Sequence, residues 1–84
     1  MKIHYENDTY VTPADKKMIR KAIEVNESNP GVYNLQELDS EELDEYYDDN
    51  EFVNKWKNDA DIYLVSHLVA GNWAQPITLI AVDY

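Results

Sequence analysis

Hydrophobic and polar residues alternate along four stretches of the chain, and this period of two predicts β-strands. The first stretch is short, from Lys2 to Tyr5, and the second runs from Val32 to Gln36. Two longer stretches, Asp61 to Ala70 and Trp73 to Tyr84, flank the dipeptide Gly71-Asn72, which suits a tight turn. The pattern therefore predicts two short strands and a C-terminal hairpin.

A first helix is predicted between the two short strands. Thr12 suits the N-cap, Pro13 suits the first helical position, and Asp15 follows Thr12 by three residues as in a capping box. The helix is expected to run from Pro13 to about Ser28, where turn-forming residues end it. Its apolar side is formed by Ala14, Met18, Ile19, Ala22, Ile23 and Val25, and its outer side by Lys16, Lys17, Arg20 and Lys21.

A second helix is predicted from Ser40 to about Lys57. Asp39 and Glu42 have the spacing of a capping box, and acids in the first turn complement the helix dipole. The apolar side of this helix consists of Leu43, Tyr46, Tyr47, Val53 and Trp56. Most of its opposite side is carboxylate.

These elements predict an α+β domain of two layers. Two helices pack on a small, mainly antiparallel sheet that ends in the C-terminal hairpin, and the 84 residues suit a single domain spanning residues 1–84. In the first strand of the hairpin, Ile62 and Leu64 point to one face while Tyr63 and Val65 point to the other. Both faces are apolar, so a face without helices would be covered by loops, by a dimer partner or by a ligand.

The net charge of −10 is concentrated in one part of the chain. Between Glu37 and Glu51 there are nine carboxylates and no lysine or arginine, whereas acids and bases nearly balance elsewhere. A local excess of this kind attracts basic surfaces and repels nucleic acid and anionic lipid. We therefore expect a basic, DNA-binding host protein as partner, and no direct contact with nucleic acid or membrane.

The cellular location follows from what the sequence lacks. Without cysteine there is neither a disulfide framework nor a thiolate zinc site. Charged residues near the N-terminus do not suit a signal peptide, and the longest nearly apolar stretch, Ile62 to Ala70, is too short to span a membrane. We expect a cytoplasmic protein, in the host cell if a phage encodes it.

Residues for catalysis or metal binding are few. Ser66 and His67 are adjacent in a predicted strand, so their side chains point to opposite faces and cannot form a nucleophile and base. The run Asp48 to Glu51 offers oxygen ligands, but it lacks the glycine spacing of a calcium-binding EF-hand loop. We expect no enzymatic activity, no metal site and no cofactor.

The carboxylates of the second helix form a row if that helix is continuous. The row consists of Glu41, Asp44, Glu45, Asp48 and Glu51, at spacings of three and four residues. It would be about 15 Å long, with one carboxylate per roughly 3 Å, and a DNA strand has one phosphate per about 3.4 Å. The row indicates imitation of the DNA backbone, although a charge run can also be a solvated helix face.

Three segments resemble the uracil-DNA glycosylase inhibitors of phages. They are Gln36-Glu37, Ser40-Glu41-Glu42-Leu43-Asp44-Glu45 and Asp61-Ile62-Tyr63-Leu64-Val65. That family is similarly sized, acidic and α+β, with a Gln-Glu-Ser-Ile motif before a Glu-rich helix. The Ser and Ile of the motif are not found here. The resemblance implies that Glu37 and the helix acids imitate phosphates, while Leu43, Tyr46 or Tyr47 help to line a pocket for an apolar side chain of the enzyme.

The predicted partner-binding residues are all carboxylates of this acidic run. They are Glu37, Asp39, Glu41, Glu42, Asp44, Glu45, Asp48, Asp49 and Glu51. An inhibitor of a CRISPR or restriction nuclease would have the same features, as would an immunity protein or antitoxin that blocks a basic nuclease toxin. A small phage structural or regulatory protein that forms a homodimer through the hairpin is a third class.

Overall fold

Four antiparallel strands form the centre of the molecule, in the order β1, β4, β3, β2. A computed structural model describes residues 1–69 and 73–84. The strands are β1 (Lys2–Tyr5), β2 (Tyr33–Glu37), β3 (Asp61–Val69) and β4 (Trp73–Asp83). Each strand that was predicted from alternation is present, and the strand ends that can be compared lie within one residue of the expected positions. The predicted end of the third strand, Ala70, lies outside the described residues. The pairing of β3 with β4 confirms the C-terminal hairpin, and the turn predicted at Gly71-Asn72 lies outside the described residues.

The first helix, α1 (Pro13–Glu24), begins where the sequence predicts. The Thr12 hydroxyl accepts a hydrogen bond from the Asp15 amide at 3.2 Å. The helix ends four residues earlier than Ser28, because Asn26 adopts a left-handed conformation with φ +56°. The amide of Glu27 then donates to the carbonyl of Ala22 at 2.8 Å, which closes the last turn.

The predicted second helix is in fact two helices, α2 (Ser40–Tyr46) and α3 (Glu51–Trp56). The prediction of one helix from Ser40 to about Lys57 is therefore wrong. The Asn50 side chain accepts a hydrogen bond from the Val53 amide at 2.9 Å and caps a new helix. An asparagine in this position stabilises a helix start, and the neighbouring Asp48 and Asp49 have low helix propensity.

Helices cover both faces of the sheet, so the molecule has three layers where two were predicted. The larger core lies between α1 and one face, where Ile19 of α1 and Val65 of β3 are fully buried. The smaller core lies on the other face, where Val53 of α3 is fully buried beside Ile62. The helix break makes this arrangement possible, because α2 and α3 together cover the face that α1 leaves free. The α+β class itself is confirmed.

None of the described helices has the length and hydrophobicity that crossing a membrane requires.

Candidate acidic interface

The acidic segment, which we define as residues 37–51, crosses one face of the sheet. At its start, the Leu38 amide donates to the Ile62 carbonyl of β3 at 2.9 Å. Near its end, the Asn50 side-chain amide donates to the Glu6 carboxylate, just after β1, at 3.0 Å. The segment is therefore attached to the sheet on the β3 side and again beside the edge strand β1.

Two carboxylates of the segment start α2. Asp39 accepts a hydrogen bond from the Glu42 amide at 2.8 Å, and the Glu42 carboxylate accepts one from the Asp39 amide at 3.4 Å. This is the predicted capping box, and it satisfies two amides at the helix start. Asp39 and Glu42 thus have a structural role in addition to their charge.

The remaining carboxylates of the segment face solvent. They are Glu37, Glu41, Asp44, Glu45, Asp48, Asp49 and Glu51, and the capping residue Asp39 is exposed as well. Among the described residues, one ion pair involves this segment, between Lys57 Nζ and Asp44 Oδ1 at 3.8 Å. The Asp44 side chain is 72% exposed, so this pair is well solvated and weak. The segment keeps nearly all of its negative charge available to a partner.

The helix break rearranges the predicted row of charges. Glu41, Asp44 and Glu45 lie on α2, but Asp48 falls in the connection and Glu51 in the first turn of α3. The prediction of a straight row of five carboxylates on one helix is therefore wrong. The same residues instead cover two short helices and the turn between them, so they form a bent acidic surface.

The three predicted apolar anchors have different environments. Leu43 is 7% exposed and belongs to the smaller core. Tyr47 is half-buried against the same core. Tyr46 is 71% exposed beside the carboxylates of α2. Of the three, Tyr46 has the exposure that a contact with a partner requires.

A shallow depression of about 370 Å³ lies at the start of the acidic segment. Glu37 and Asp39 line it together with Asp61 of β3 and the cation Lys57, and Leu43 and Ile62 contribute apolar surface. Asp61 was not predicted as a member of this surface, because it is distant in sequence and reaches the segment only through the pairing of β2 with β3. The exposed charge of Asp61 at a strand start was the available signal.

The basic side of α1 is more fully paired than the acidic segment. Lys16 forms an ion pair with Asp8, and Arg20 forms one with Glu24 at 3.5 Å. Lys17 and Lys21 are exposed. The molecule is therefore polarised, with its excess negative charge on the α2 and α3 side of the sheet and a basic surface on α1.

The described residues contain no group of three or more histidine, aspartate and glutamate side chains arranged to hold a metal ion. Ser66 is buried, whereas the His67 ring lies 5.7 Å from the Tyr33 ring on the opposite face of the sheet. These two side chains are therefore not brought together by the fold.

Fold and surface define a class: a small α+β protein with a three-layer arrangement and a concentrated acidic surface. Comparison with protein-family models, with curated proteins and with solved structures found no match to this chain. The resemblance to the uracil-DNA glycosylase inhibitors stays a prediction.

Proposed function

We propose that this protein is an acidic inhibitor that occupies the DNA-binding groove of a DNA-processing enzyme. The observation that supports this most directly is the acidic segment, in which eight of the nine carboxylates are exposed and one lysine provides the nearby ion pair. Exposed acids without counterions repel one another, which is a cost to the free protein. A basic groove would relieve that repulsion and form charge-assisted hydrogen bonds with the carboxylates.

The spacing of the carboxylates on α2 is compatible with phosphate imitation. Glu41 and Glu45 are one helical turn apart, or about 6 Å along the axis. Two steps along a DNA strand measure about 6.8 Å. Cationic groups that bind every second phosphate of a strand are therefore at a suitable distance for these two side chains.

Attachment of the segment to the core favours tight binding. Leu43 and Val53 anchor α2 and α3 in the smaller core, and Asn50 connects the turn to Glu6. A surface that is already ordered loses less conformational entropy when it binds. The acidic segment thus differs from a disordered acidic tail, which would have to fold on its target.

Uracil-DNA glycosylase is the first target to test, and CRISPR or restriction nucleases are the next. These enzymes act on DNA in the cytoplasm of bacteria, which is where we place this protein. In this proposal the protein has no catalytic activity and does not bind nucleic acid, because its net charge of −10 repels phosphates.

The test is a competition experiment with a panel of enzymes that contain basic nucleic-acid grooves. Each enzyme is assayed with increasing amounts of this protein at low and at physiological salt, and binding of labelled DNA is followed in parallel. We expect inhibition of at least one DNA-processing enzyme, displacement of DNA, and weaker inhibition at high salt.

Two results would contradict the proposal. A stable ternary complex of enzyme, DNA and this protein excludes competition for the groove. Selective inhibition of a ribonuclease or nuclease toxin, with no effect on DNA-processing enzymes, would instead indicate an immunity protein or antitoxin.

A further inference from the structure

The edge strand β1 has one side that no other strand covers. β1 pairs with β4 alone, and the sheet ends there. The amide of Glu6 donates to the Leu79 carbonyl at 3.0 Å, which sets the alternation of hydrogen-bonded pairs along β1. By that alternation, His4 bonds to β4, and the N–H and C=O groups of Ile3 and Tyr5 point away from the sheet.

The outward groups have no hydrogen-bond partner among the described residues. The α1 side chains beside this edge leave those groups free: Arg20 Nη2 donates to the Met1 carbonyl at 2.9 Å, and Lys16 Nζ lies 4.9 Å from the centre of the Tyr5 ring. Strand edges of this kind pair readily with an extended segment of another chain. The outward N–H and C=O groups of Ile3 and Tyr5 provide two donors and two acceptors for such a segment.

Side chains from α1 and α3 enclose this edge on both sides. On the α1 side, a depression of about 280 Å³ is lined by Lys16, Lys17 and Arg20 with Ile3 and Tyr5. On the α3 side, one of about 480 Å³ is lined by Phe52, Lys55 and Trp56 with three residues of β1, and Lys16 and Asp8 reach it as well. The two depressions share β1 and form one groove along the edge, which we call the β1 groove.

The β1 groove is basic in a protein that is otherwise strongly acidic. Four of its lining residues are lysine or arginine, whereas Asp8 is its one carboxylate. Lys16 is paired with Asp8, and Arg20 is paired with Glu24, which does not line the groove. The exposed Lys17 has no ion pair within the described part of the chain, and Lys55 Nζ lies 5.2 Å from the centre of the Trp56 ring. Positive charge around an open strand edge attracts an acidic polypeptide.

We propose that the β1 groove binds an acidic, extended segment of a partner protein, which adds to the sheet as a fifth strand beside β1. This inference goes beyond the proposed inhibition, because it concerns a separate surface with the opposite charge. The protein would then contact two partners, or two parts of one partner, through an acidic and a basic surface.

The two sides of the groove define the sequence pattern of the bound segment. Side chains of an added strand point alternately to the two faces of the sheet. Those on the α1 face would meet Lys16, Lys17 and Arg20, which favours glutamate or aspartate. Those on the α3 face would meet Phe52 and Trp56, which favours an apolar residue. The expected segment therefore alternates acidic and apolar residues.

A second copy of this chain fits the groove less well. Antiparallel pairing of two β1 strands would bring both sets of groove cations to one interface. Two molecules that each carry a net charge of −10 also repel one another. An acidic segment of a different protein avoids the first of these costs and gains charge complementarity.

The experiment is a titration of the full-length protein with a capped octapeptide of alternating glutamate and valine, followed by NMR. We expect the amide signals of Ile3 and Tyr5 to shift on binding and their hydrogen exchange to slow. N-methylation of the central peptide amides should weaken binding about tenfold, because it removes the donors of the added strand. A peptide of the same composition without alternation should also bind more weakly.

Protein variants test the charge argument without altering the core. Lys17→Glu removes an exposed cation from the groove and should weaken peptide binding about threefold. Lys21→Glu is the matched control, because Lys21 lies one turn further along α1, is exposed and does not line the groove. Both variants should retain the melting temperature of the unchanged protein.

Several results would overturn the inference. One is an absence of binding by the alternating peptide, and another is equal binding by its N-methylated form. A stable dimer in sedimentation experiments that blocks the groove would show a second copy as the occupant. Binding of duplex DNA that is lost in Lys17→Glu would identify a nucleic-acid site instead. Enzyme inhibition through the acidic segment is measured in a separate assay, so a failure of peptide binding can be distinguished from a failure of the proposed inhibition.

Discussion

At the scale of residues, adjacent tyrosines in the acidic segment have different surroundings. Tyr46 is 71% exposed, whereas Tyr47 is half-buried against the smaller core. Their hydroxyl and ring chemistry is identical, so only position separates them. Affinity in protein interfaces often depends on a few exposed aromatic residues, and stability depends on buried ones.

Substitution of each tyrosine by alanine should therefore affect a different property. Tyr47→Ala should lower the free energy of unfolding by roughly 2 kcal/mol, or the melting temperature by about 10 °C. Tyr46→Ala should leave the melting temperature unchanged and raise the rate of dissociation from a target enzyme. Tyr10→Ala is a suitable control, because Tyr10 is 67% exposed and lies outside the acidic segment. Equal losses of stability in the Tyr46 and Tyr47 variants would contradict this assignment.

Ionisation of Tyr5 is expected to lower the stability of the folded protein at alkaline pH. Burial raises the pKa of Tyr5 to about 12, and the nearby Asp8 carboxylate adds to the effect. In the unfolded chain a tyrosine ionises near pH 10. Between these values the folded state binds more protons than the unfolded state, so stability is fully present below pH 10 and falls as pH rises toward about 12. Urea unfolding at a series of pH values measures this fall.

The variant Tyr5→Phe should reduce that alkaline loss. The Tyr5 hydroxyl is buried and has no hydrogen-bond partner among the described residues, so its removal should not lower stability at pH 7 and is expected to raise it slightly. Tyr10→Phe, at an exposed position, should change neither the stability at pH 7 nor the loss of stability at alkaline pH. A pH profile of Tyr5→Phe identical to that of the unchanged protein would show that other groups cause the alkaline loss.

At the scale of elements, the break between α2 and α3 decides how the acidic surface is shaped. The Asn50 side chain has two roles. Its Oδ1 accepts the hydrogen bond that caps α3, and its Nδ2 donates to the Glu6 carboxylate near β1. It therefore fixes both the start of the helix and the position of the turn over the sheet.

We expect Asn50→Ala to lower the free energy of unfolding by about 1 kcal/mol through loss of the cap. Asn50→Asp keeps an oxygen for the Val53 amide but places a carboxylate beside Glu6, so it separates the cap from the contact to β1. Asn58→Ala, at an exposed position, is the control. If Asn50→Ala and Asn58→Ala unfold at the same urea concentration, the capping argument fails.

At the scale of the whole molecule, charge distribution determines how partners approach. Attraction at a distance depends on the summed field of the acidic segment and falls as salt screens it. Glu41→Gln or Asp48→Asn alone should therefore slow association with a target by only about twofold. Stopped-flow measurements at several salt concentrations give this rate.

Reversal of two charges on the acidic surface should have a much larger effect. We expect Glu41→Lys with Glu45→Lys to abolish inhibition, because both side chains are exposed on one side of α2. Asp59→Lys with Asp83→Lys makes the same change in net charge at exposed positions outside the segment. Equal loss of inhibition in both double variants would mean that net charge alone acts, with no defined interface.

The sequence alone determined those elements that depend on residues close to one another in the chain. The strands follow from alternation, and the starts of α1 and α2 follow from Thr12 and Asp39 as caps. The concentration of charge in residues 37–51 is also a property of the sequence alone. These features depend on neighbours within a few residues, so they were predictable without knowledge of the fold.

Only the tertiary structure decided which surfaces exist. The break at Asn50 bends the carboxylates around the turn, and it allows α2 and α3 to cover the second face of the sheet. The choice between Tyr46 and Tyr47, and the gathering of α1 and α3 side chains beside β1, also depend on contacts between residues far apart in sequence. The helical periodicity of apolar residues continues through the break, so the sequence pattern alone did not reveal it. Whether this segment forms one helix or two depends on how much apolar surface each arrangement buries against the sheet.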